Sequence, residues 1–258
     1  TPEIISEISE RDERVTLISG SELPQGWIGK NWACYQLSTK AKGEFLLFTD
    51  ADTILSEGAV ESAVMHAVNR GVNLLTVMPR RMSGCIIENL LFPFIDWIIF
   101  CCIPTKIAHR SRNSFMSPTF GQFMFFKTDS YRSIGGHAAV RANPLDDFEL
   151  GRLTKKLGLT WMLFEGVNDV QVLPYRNGVD AFRGISRSLY PAAYYSLTVL
   201  LLGSVTLLML SFIPLYILLT GFGSVTRDFE TMIVAGASIG VISGTWLIVC
   251  YKFKHNMF

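Results

Sequence analysis

Two long segments near the carboxyl end of this 258-residue chain contain no charged side chain. The first lies between Arg187 and Arg227, and the second covers residues 231–251. An α-helix of about 20 apolar residues crosses the hydrocarbon core of a bilayer, so we expect two membrane-spanning helices, at about residues 191–220 and 231–251. Pro214 weakens a water-soluble helix but is tolerated in a membrane span. The sequence therefore predicts a transmembrane helical hairpin that follows a more polar portion.

Basic residues flank this hairpin more often than they occupy its connector. Two arginines precede the first segment, and Lys252 and Lys254 follow the second, whereas Arg227 shares the connector with two acids. Cytoplasmic flanks of membrane helices carry an excess of lysine and arginine. We therefore expect a multi-pass protein of the cell membrane, in which residues 1–190 form a cytoplasmic domain and residues 191–258 hold the hairpin.

The charge and the cysteine content exclude some partners and compartments. The formal net charge is +1, and the five cysteines form no C-x-x-C pair. Nucleic-acid binding needs a concentrated basic surface, so we expect no nucleic-acid partner. An odd number of cysteines fits a reducing compartment, in which they pack as small apolar side chains.

Strand and helix patterns alternate along the polar portion. They predict helices at residues 2–9, 29–41, 56–71 and 143–158, and strands at residues 14–19, 45–48, 73–78 and 120–126. Such alternation is typical of an α/β fold with a mostly parallel sheet and helices on both faces. Ligands of these folds bind beyond the carboxyl ends of the strands.

A further apolar segment, residues 85–104, interrupts this alternation. Glu88 and Asp96 fall within it, and Pro93 and Pro104 bracket its second half. We favour a helix that lies in the membrane interface over a third span or a buried core helix. Such a helix would hold the domain against the bilayer.

The stretch EFLLFTDADTIL ends an apolar strand in two carboxylates, Asp50 and Asp52. Because charged carboxylates repel each other and lose hydration at a cost, the pair needs a cation or several hydrogen-bond donors. Asp50 can hold sugar or ribose hydroxyls, while Asp52 can ligate a hard divalent ion that bridges two phosphates. Acids that simply cap a turn and a helix are the structural alternative.

A glycine-rich turn precedes the helix that begins with Gly29 and Lys30. A helix amino terminus exposes unpaired N–H groups, and a neighbouring lysine adds a full charge, so the element suits a phosphate. The spacing lacks the serine or threonine of a P-loop. A turn with a solvated lysine is the alternative interpretation.

Asp146 and Asp147 stand at the amino end of a helix predicted within residues 143–158. Helix capping explains acids at such a position in most proteins. Paired carboxylates can also differ strongly in pKa, which leaves one of them as a general base near neutral pH. The residues alone leave both interpretations open.

Five short motifs follow one another in the order PQGWIGKNWA, DAD, GQ, GGH and DDFEL. In this order the chain resembles membrane-associated members of glycosyltransferase family 2 over roughly residues 4–190. It is most similar to the branch that glycosylates carotenoid or hopanoid-type lipids. The resemblance implies a Rossmann-like, nucleotide-sugar-binding fold of the GT-A type, a nucleoside diphosphate sugar as donor, and inversion at the anomeric carbon.

The resemblance also assigns roles to residues. It implies that Mg²⁺ or Mn²⁺ is held by Asp52 with Asp50, and that Asp147, beside Asp146, is the general base. The donor-binding set comprises Gly29, Lys30, Asp50 and Gln122, and Arg183 would neutralise the leaving phosphate together with Lys30. Gln122, His137 and residues 109–112 are candidate contacts of a membrane lipid acceptor.

The chain departs from the family pattern in two places. The family's first strand and its acidic motif, which grip uracil and ribose, have no counterpart, so we expect that an amino-terminal part is missing. Polymer-making members carry Q-x-x-R-W, whereas residues 180–184 read DAFRG. A processive polysaccharide synthase and an inactive membrane scaffold remain the alternatives. A phosphotransferase of the haloacid dehalogenase type is less favoured, because it requires threonine where Ile54 stands.

Overall fold

A computed structural model describes residues 2–192, 196–221 and 229–255. The five strands are β1 (Phe45–Phe48), β2 (Thr53–Leu55), β3 (Leu74–Arg81), β4 (Met124–Lys127) and β5 (Trp161–Val172). The helices before β4 are α1 (Pro2–Arg11), α2 (Gly29–Lys40), α3 (Ala59–Arg70), α4 (Ile86–Cys102) and α5 (Thr105–Arg110). The later helices are α6 (Thr128–Ser133), α7 (Gly136–Ala139), α8 (Asp146–Lys156), α9 (Gly178–Ala192), α10 (Leu197–Gly221) and α11 (Phe229–Lys252).

The five strands form one mixed sheet in the order β1-β4-β3-β5-β2. The α/β class is confirmed, but the prediction of a mostly parallel sheet is wrong for neighbouring strands. Only β3 and β5 are parallel neighbours, whereas β4 runs antiparallel to both β1 and β3, and β2 runs antiparallel to β5. The strands β1, β3 and β5 run in one direction, and β4 lies between β1 and β3 and runs in the opposite direction. Hydrophobic periodicity marks a strand without revealing its direction, which explains the error.

The sheet separates two apolar cores, because successive side chains of a strand point to opposite faces. Leu74 and Phe126 pack on the face that is covered by α8 and the end of α11. Leu75 and Phe125, their chain neighbours, pack on the other face against α3. Helix α3 ends at Gly71, which has a φ of 61°, as the sequence predicts.

Several elements differ from the sequence predictions by more than a residue, and three of these differences change the fold or its boundaries most. The segment 14–19 is not a strand, because no other strand of the described residues pairs with it, and Leu17 stays exposed. Helix α3 starts at Ala59 rather than near Ser56, whose hydroxyl instead donates to Asp169 Oδ1 at 3.2 Å. The first long apolar helix starts at Leu197 rather than near residue 191, because residues 178–192 form the separate helix α9.

Helix α4 buries its charged residues and exposes its apolar ones. Glu88 and Asp96 have no solvent exposure, whereas Ile86 and Leu90 are 77% and 63% exposed. Glu88 accepts hydrogen bonds from the backbone N–H groups of Gly84 and Cys85, so it caps the helix. An outward apolar face with an inward charged face is the reverse of a water-soluble helix and suits a lipid environment.

Helices α10 and α11 pack against each other and are long and apolar enough to cross a membrane. The end of α11 is fastened to the domain: Trp97 Nε1 donates to Thr245 Oγ1 at 3.0 Å, and His255 Nε2 lies 2.8 Å from Asp96 Oδ2. Lys254 Nζ donates to Asn168 Oδ1 at 2.6 Å. Because α11 ends on the domain, the position of the domain relative to this helix is fixed. The connector residue Arg227 lies outside the described residues.

Candidate active site

Lys30 contacts carboxylates from two parts of the chain that are distant in sequence. It lies in the first turn of α2, and its Nζ is 3.1 Å from Asp50 Oδ1 and 3.8 Å from Asp146 Oδ1. Burial lowers the pKa of the Lys30 ammonium, but the charges of Asp146, Asp50 and Asp147 outweigh it and raise the pKa above its usual value. Lys30 is therefore a fixed cation within an acidic cluster, not a freely solvated side chain.

Asp147 receives two backbone hydrogen bonds in the first turn of α8. The N–H of Gly121 donates to its Oδ2 at 2.9 Å, and the N–H of Phe148 donates to its Oδ1 at 2.8 Å. A methyl group on Gly121 would lie 3.2 Å from both Asp147 Oδ2 and Lys30 Nζ. Glycine at position 121 therefore lets the chain before β4 approach the cluster closely. Because Lys30 Nζ also lies 3.1 Å from Asp50 Oδ1, Asp147 and Asp50 belong to one cluster around Lys30.

Asp146 and Asp147 have opposite pKa shifts. Burial and the neighbouring charge of Asp146 raise the pKa of Asp147 to about 7. Burial also opposes ionisation of Asp146, but the imidazole of His137 and the charge of Lys30 outweigh it and lower its pKa. Two neighbouring carboxyls with separated pKa values can take different roles in proton transfer. Asp146 is therefore the ionised member of the pair, and Asp147 is the carboxyl that titrates near neutral pH.

His137 supports this pair from behind and is wrongly predicted as an acceptor contact. Its side chain has no solvent exposure, and its Nε2 lies 3.4 Å from Asp146 Oδ2. Its Nδ1 lies 2.8 Å from the Tyr131 hydroxyl, which also accepts a hydrogen bond from the His137 backbone N–H at 3.0 Å. A side chain on Gly136 would collide with the Tyr131 ring, with Cβ 2.6 Å from its Cε1. The GGH motif therefore builds a support for Asp146.

Asn31 is a structural residue of this site that the sequence analysis missed. It is 1% exposed, and its Nδ2 donates to Val140 O at 2.8 Å and Asn143 O at 2.9 Å. The N–H of Ile28 also donates to Arg141 O at 2.8 Å. These bonds fasten the start of α2 to the segment before α8 and hold Lys30 near Asp146. The position of Asn31 next to Lys30 in the sequence suggests a structural role, but the backbone carbonyls that it contacts cannot be deduced from the sequence spacing.

Asp50 and Asp52 lie in the segment that joins β1 to β2, the two outer strands of the sheet. Thr49 Oγ1 in this segment donates to Gln122 O at 3.0 Å, which places Gln122 beside it. Partial burial and the charge of Asp50 raise the pKa of Asp52, whose side chain is solvent-exposed. Asp50 and Asp52 thus follow the end of β1, as the sequence predicts.

Within residues 2–192, 196–221 and 229–255, no group of three or more histidine, cysteine or acidic side chains is arranged so that it could hold a metal ion by itself. Mg²⁺ is usually held by one or two carboxylates, with water and substrate phosphates filling the other positions. Asp50 and an exposed Asp52 fit this pattern, because they offer two carboxylates at an open edge. The donor set is therefore compatible with a divalent ion that arrives with a diphosphate.

Arg183 is not brought to the acidic cluster. It lies exposed on α9, and no hydrogen bond or ion pair joins it to the carboxylates among the described residues. The arginine of α9 whose charge acts on Tyr175 is Arg187, and burial together with the charge of Asp52 raises the pKa of Tyr175.

The predicted acceptor loop at residues 109–112 starts in a helix, α5, rather than a loop. His109 Nε2 accepts a hydrogen bond from the Leu163 N–H at 3.1 Å, and burial lowers the pKa of His109. His109 therefore fastens α5 to β5, and a contact of residues 109–112 with an acceptor stays a prediction. Gly29 begins α2 and has open space where a side chain would stand.

Comparisons with known proteins give a family and two similar proteins. The family description "Glycosyl transferase family 2" matches residues 1–141. A 4,4'-diaponeurosporenoate glycosyltransferase from Staphylococcus haemolyticus (strain JCSC1435) is 25% identical over 180 residues, which cover 69% of this chain and 47% of that protein. The chain thus spans about half the length of this curated relative.

Among solved structures, mannosyl-3-phosphoglycerate synthase from Rubrobacter xylanophilus aligns with a TM-score of 0.35 and 17% identity. The alignment covers 74% of this chain and 67% of that one. The family match spans more than half of the chain and includes Lys30, Asp50, Asp52 and Gly121. It excludes the interpretation as a haloacid dehalogenase-type phosphotransferase. The chain belongs to glycosyl transferase family 2.

Proposed function

We propose that the chain carries the catalytic acids and the membrane helices of an inverting glycosyltransferase. It would transfer a sugar from a nucleoside diphosphate sugar to a hydroxyl or carboxyl group of a membrane lipid of the carotenoid or hopanoid type. The observation that carries this proposal is the cluster in which Lys30 contacts Asp50 and Asp146, with Asp147 bonded to Gly121 beside them. Family membership and the printed name of the curated relative support the reaction class and the acceptor class.

Asp147 acts as the general base. With a pKa of about 7, a large fraction of its carboxyl is ionised at neutral pH and its affinity for a proton is still substantial. It takes the proton of the acceptor oxygen, and that oxygen forms a bond to the anomeric carbon. The bond from this carbon to the diphosphate oxygen breaks, and its electron pair leaves with the diphosphate. The proton stays on Asp147 until it is released to solvent.

Asp146 does not contact the acceptor in this mechanism; its role is to raise the pKa of Asp147. It is buried, and Lys30 and His137 keep it ionised. An ionised Asp146 raises the pKa of Asp147, which makes Asp147 a stronger base than an isolated aspartate. Asp146 and His137 are therefore positioning residues in this proposal.

Asp50 and Asp52 would hold Mg²⁺ or Mn²⁺, and a bound divalent ion supplies charge that stabilises a leaving diphosphate. Lys30 adds a fixed positive charge 3.1 Å from Asp50, where a preorganised charge costs no reorganisation during the reaction. Gly29 and Gln122 border this region and complete the proposed donor-binding set. Arg183 has no contact that supports its predicted role.

The membrane supplies the acceptor in this proposal. Two helices beside the domain expose apolar residues, namely Ile86 and Leu90 on α4 and Phe182 on α9, which is 60% exposed. These faces favour an interfacial position for α4 and for α9. Lys252 ends the second long apolar helix, Lys254 follows it, and both lie against the domain, which supports a multi-pass protein with its catalytic domain on the cytoplasmic side.

The test uses membranes that contain the protein and a panel of labelled nucleotide sugars, with Mn²⁺, with Mg²⁺ or with a chelator. We expect one sugar to label an extractable lipid, and the chelator to abolish this labelling. Labelled material that grows into a polymer would instead support a processive synthase. If neither lipid labelling nor donor hydrolysis occurs with any sugar, the protein is an inactive scaffold and the proposal fails.

A further inference from the structure

A cavity of about 350 Å³ lies where the domain meets the end of the second membrane helix. Its apolar lining includes Ile99 and Phe100 of α4, Ile103 just after α4, Leu163 of β5, and Phe253 just after α11. None of the lining residues belongs to the acidic cluster around Lys30. The volume falls at the lower end of the range typical of ligand sites, and an apolar cavity does not hold ordered water. The cavity is therefore a candidate site for an apolar ligand.

The mouth of the cavity lies at the end of an apolar helix. Lys252 is the last residue of α11, and the preceding residues Leu247, Ile248 and Tyr251 are 56%, 54% and 85% exposed. If α11 crosses the bilayer, as the proposed function requires, then a tyrosine and a lysine at its end lie at the level of the lipid headgroups. Exposed apolar side chains on the last turns of α11 then lead from the acyl region to the cavity.

The rim of the cavity carries an excess of positive charge. Lys106, Lys252 and Glu165 stand there, and Lys252 Nζ lies 3.1 Å from Glu165 Oε2. The side chains of Lys252 and Glu165 are 40% and 42% exposed, so both stay accessible to a charged headgroup. Two lysines against one glutamate favour an anion over a neutral headgroup.

We propose that this cavity binds one acyl chain of an anionic phospholipid of the surrounding membrane, whose phosphate is held by Lys106 and Lys252. The occupant is a resident lipid that seals the junction between the domain and α11, distinct from the acceptor that reacts at Asp147. Anionic lipids are the most abundant anions at the cytoplasmic surface of a membrane, and they attract basic residues near that surface. The apolar wall takes the chain, and the two lysines select the headgroup.

The test counts lipids that stay bound to the protein. The protein is reconstituted into nanodiscs of phosphatidylcholine with a rising fraction of phosphatidylglycerol, and native mass spectrometry measures the retained lipid. We expect one retained phosphatidylglycerol per chain. The variant Lys106→Gln with Lys252→Gln should raise the half-saturating fraction about 25-fold, because each lysine near a membrane surface contributes about a fivefold preference for anionic lipid. Glu165→Gln should lower that fraction.

Two further variants separate the cavity from surface charge. Ile103→Trp fills the cavity and keeps both lysines, so it should abolish retention. Lys254→Gln is the matched control, because Lys254 is bonded to Asn168 and does not line the cavity; its retention should equal that of the wild-type protein. Circular dichroism verifies the helix content of every variant.

Equal retention of phosphatidylglycerol and phosphatidylcholine would overturn the proposal, as would unchanged retention in the double lysine variant. A retained lipid without phosphate, in place of phosphatidylglycerol, would assign the cavity to the acceptor and would also overturn it. The result is independent of catalysis, since phosphatidylglycerol retention is measured without a sugar donor. Release of the protein from membranes by carbonate would instead refute the membrane span on which both proposals rest.

Discussion

Replacing Asp147 by asparagine should change how stability depends on pH. The pKa of this carboxyl rises from 3.8 to about 7 on folding, and a carboxyl whose pKa is raised makes the folded state bind more protons than the unfolded state. Stability is then highest below the unfolded pKa and falls as the pH increases from about 4 to about 7. Asparagine does not titrate, so the variant should lack this loss.

The size of the effect follows from the shift. A displacement of about three pKa units corresponds to about 4 kcal/mol at 1.36 kcal/mol per unit. Asp147 is only half-buried by solvent accessibility, so screening by water reduces the expected effect to about 2 kcal/mol. Asparagine can accept only one of the two N–H bonds from Gly121 and Phe148, which costs about 1 kcal/mol. That cost is the same at every pH, so it shifts the variant's curve without changing its slope.

The assay is thermal unfolding of both proteins in the same detergent at several values between pH 4.5 and pH 8. The wild-type protein should lose about 2 kcal/mol more than Asp147→Asn over this range, or about 4–8 °C in melting temperature for a domain of this size. Parallel curves for the two proteins would show that Asp147 has no raised pKa. Asp147 would then have no electrostatic reason to act as a general base near neutral pH.

Three other substitutions test the same cluster. Gly121→Ala should lower sugar transfer at least tenfold with little loss of stability, since its methyl group would lie 3.2 Å from Asp147 Oδ2 and Lys30 Nζ; unchanged turnover would show that the close approach is unimportant. Lys30→Met should cost about 1–2 kcal/mol at pH 8, because partly screened carboxylates lose their cation. Since the pKa of Asp146 is lowered from 3.8, the loss should persist near pH 4 and shrink only at lower pH; a loss that has already disappeared at pH 4 would contradict this. Asp52→Ala should abolish transfer together with its response to Mn²⁺, and an unaltered Mn²⁺ titration would remove Asp52 from the proposed metal site.

The sequence predicted well those features that depend on local pattern. The apolar stripe of α3, the two long apolar helices and the position of Asp50 beyond a strand all follow from periodicity and residue type. The acids at the start of α8 were also placed correctly. Their meeting with Lys30 was expected only from the order of the motifs, since residues 30 and 146 come together through the tertiary fold.

Features that depend on distant partners were not predictable from pattern. The direction of β4 depends on the path of the chain before this strand. The buried position of His137 depends on its contacts with Tyr131 and Asp146. Asn31 satisfies backbone carbonyls about 110 residues away. A single histidine or asparagine in a sequence carries no record of such partners.

The most direct test of the account measures sugar transfer and donor binding by Asp147→Asn in the same membranes, with the sugar donor that the panel identifies. A general base contributes a factor of about 100 to 10,000 to the rate, which is roughly 3–5 kcal/mol of transition-state stabilisation. The account predicts that transfer falls by at least about 100-fold while the affinity for the nucleotide sugar stays within about twofold, since the proposed role of Asp147 is to contact the acceptor and not the donor. Transfer at the wild-type rate by this variant would contradict the assignment of Asp147 as the base.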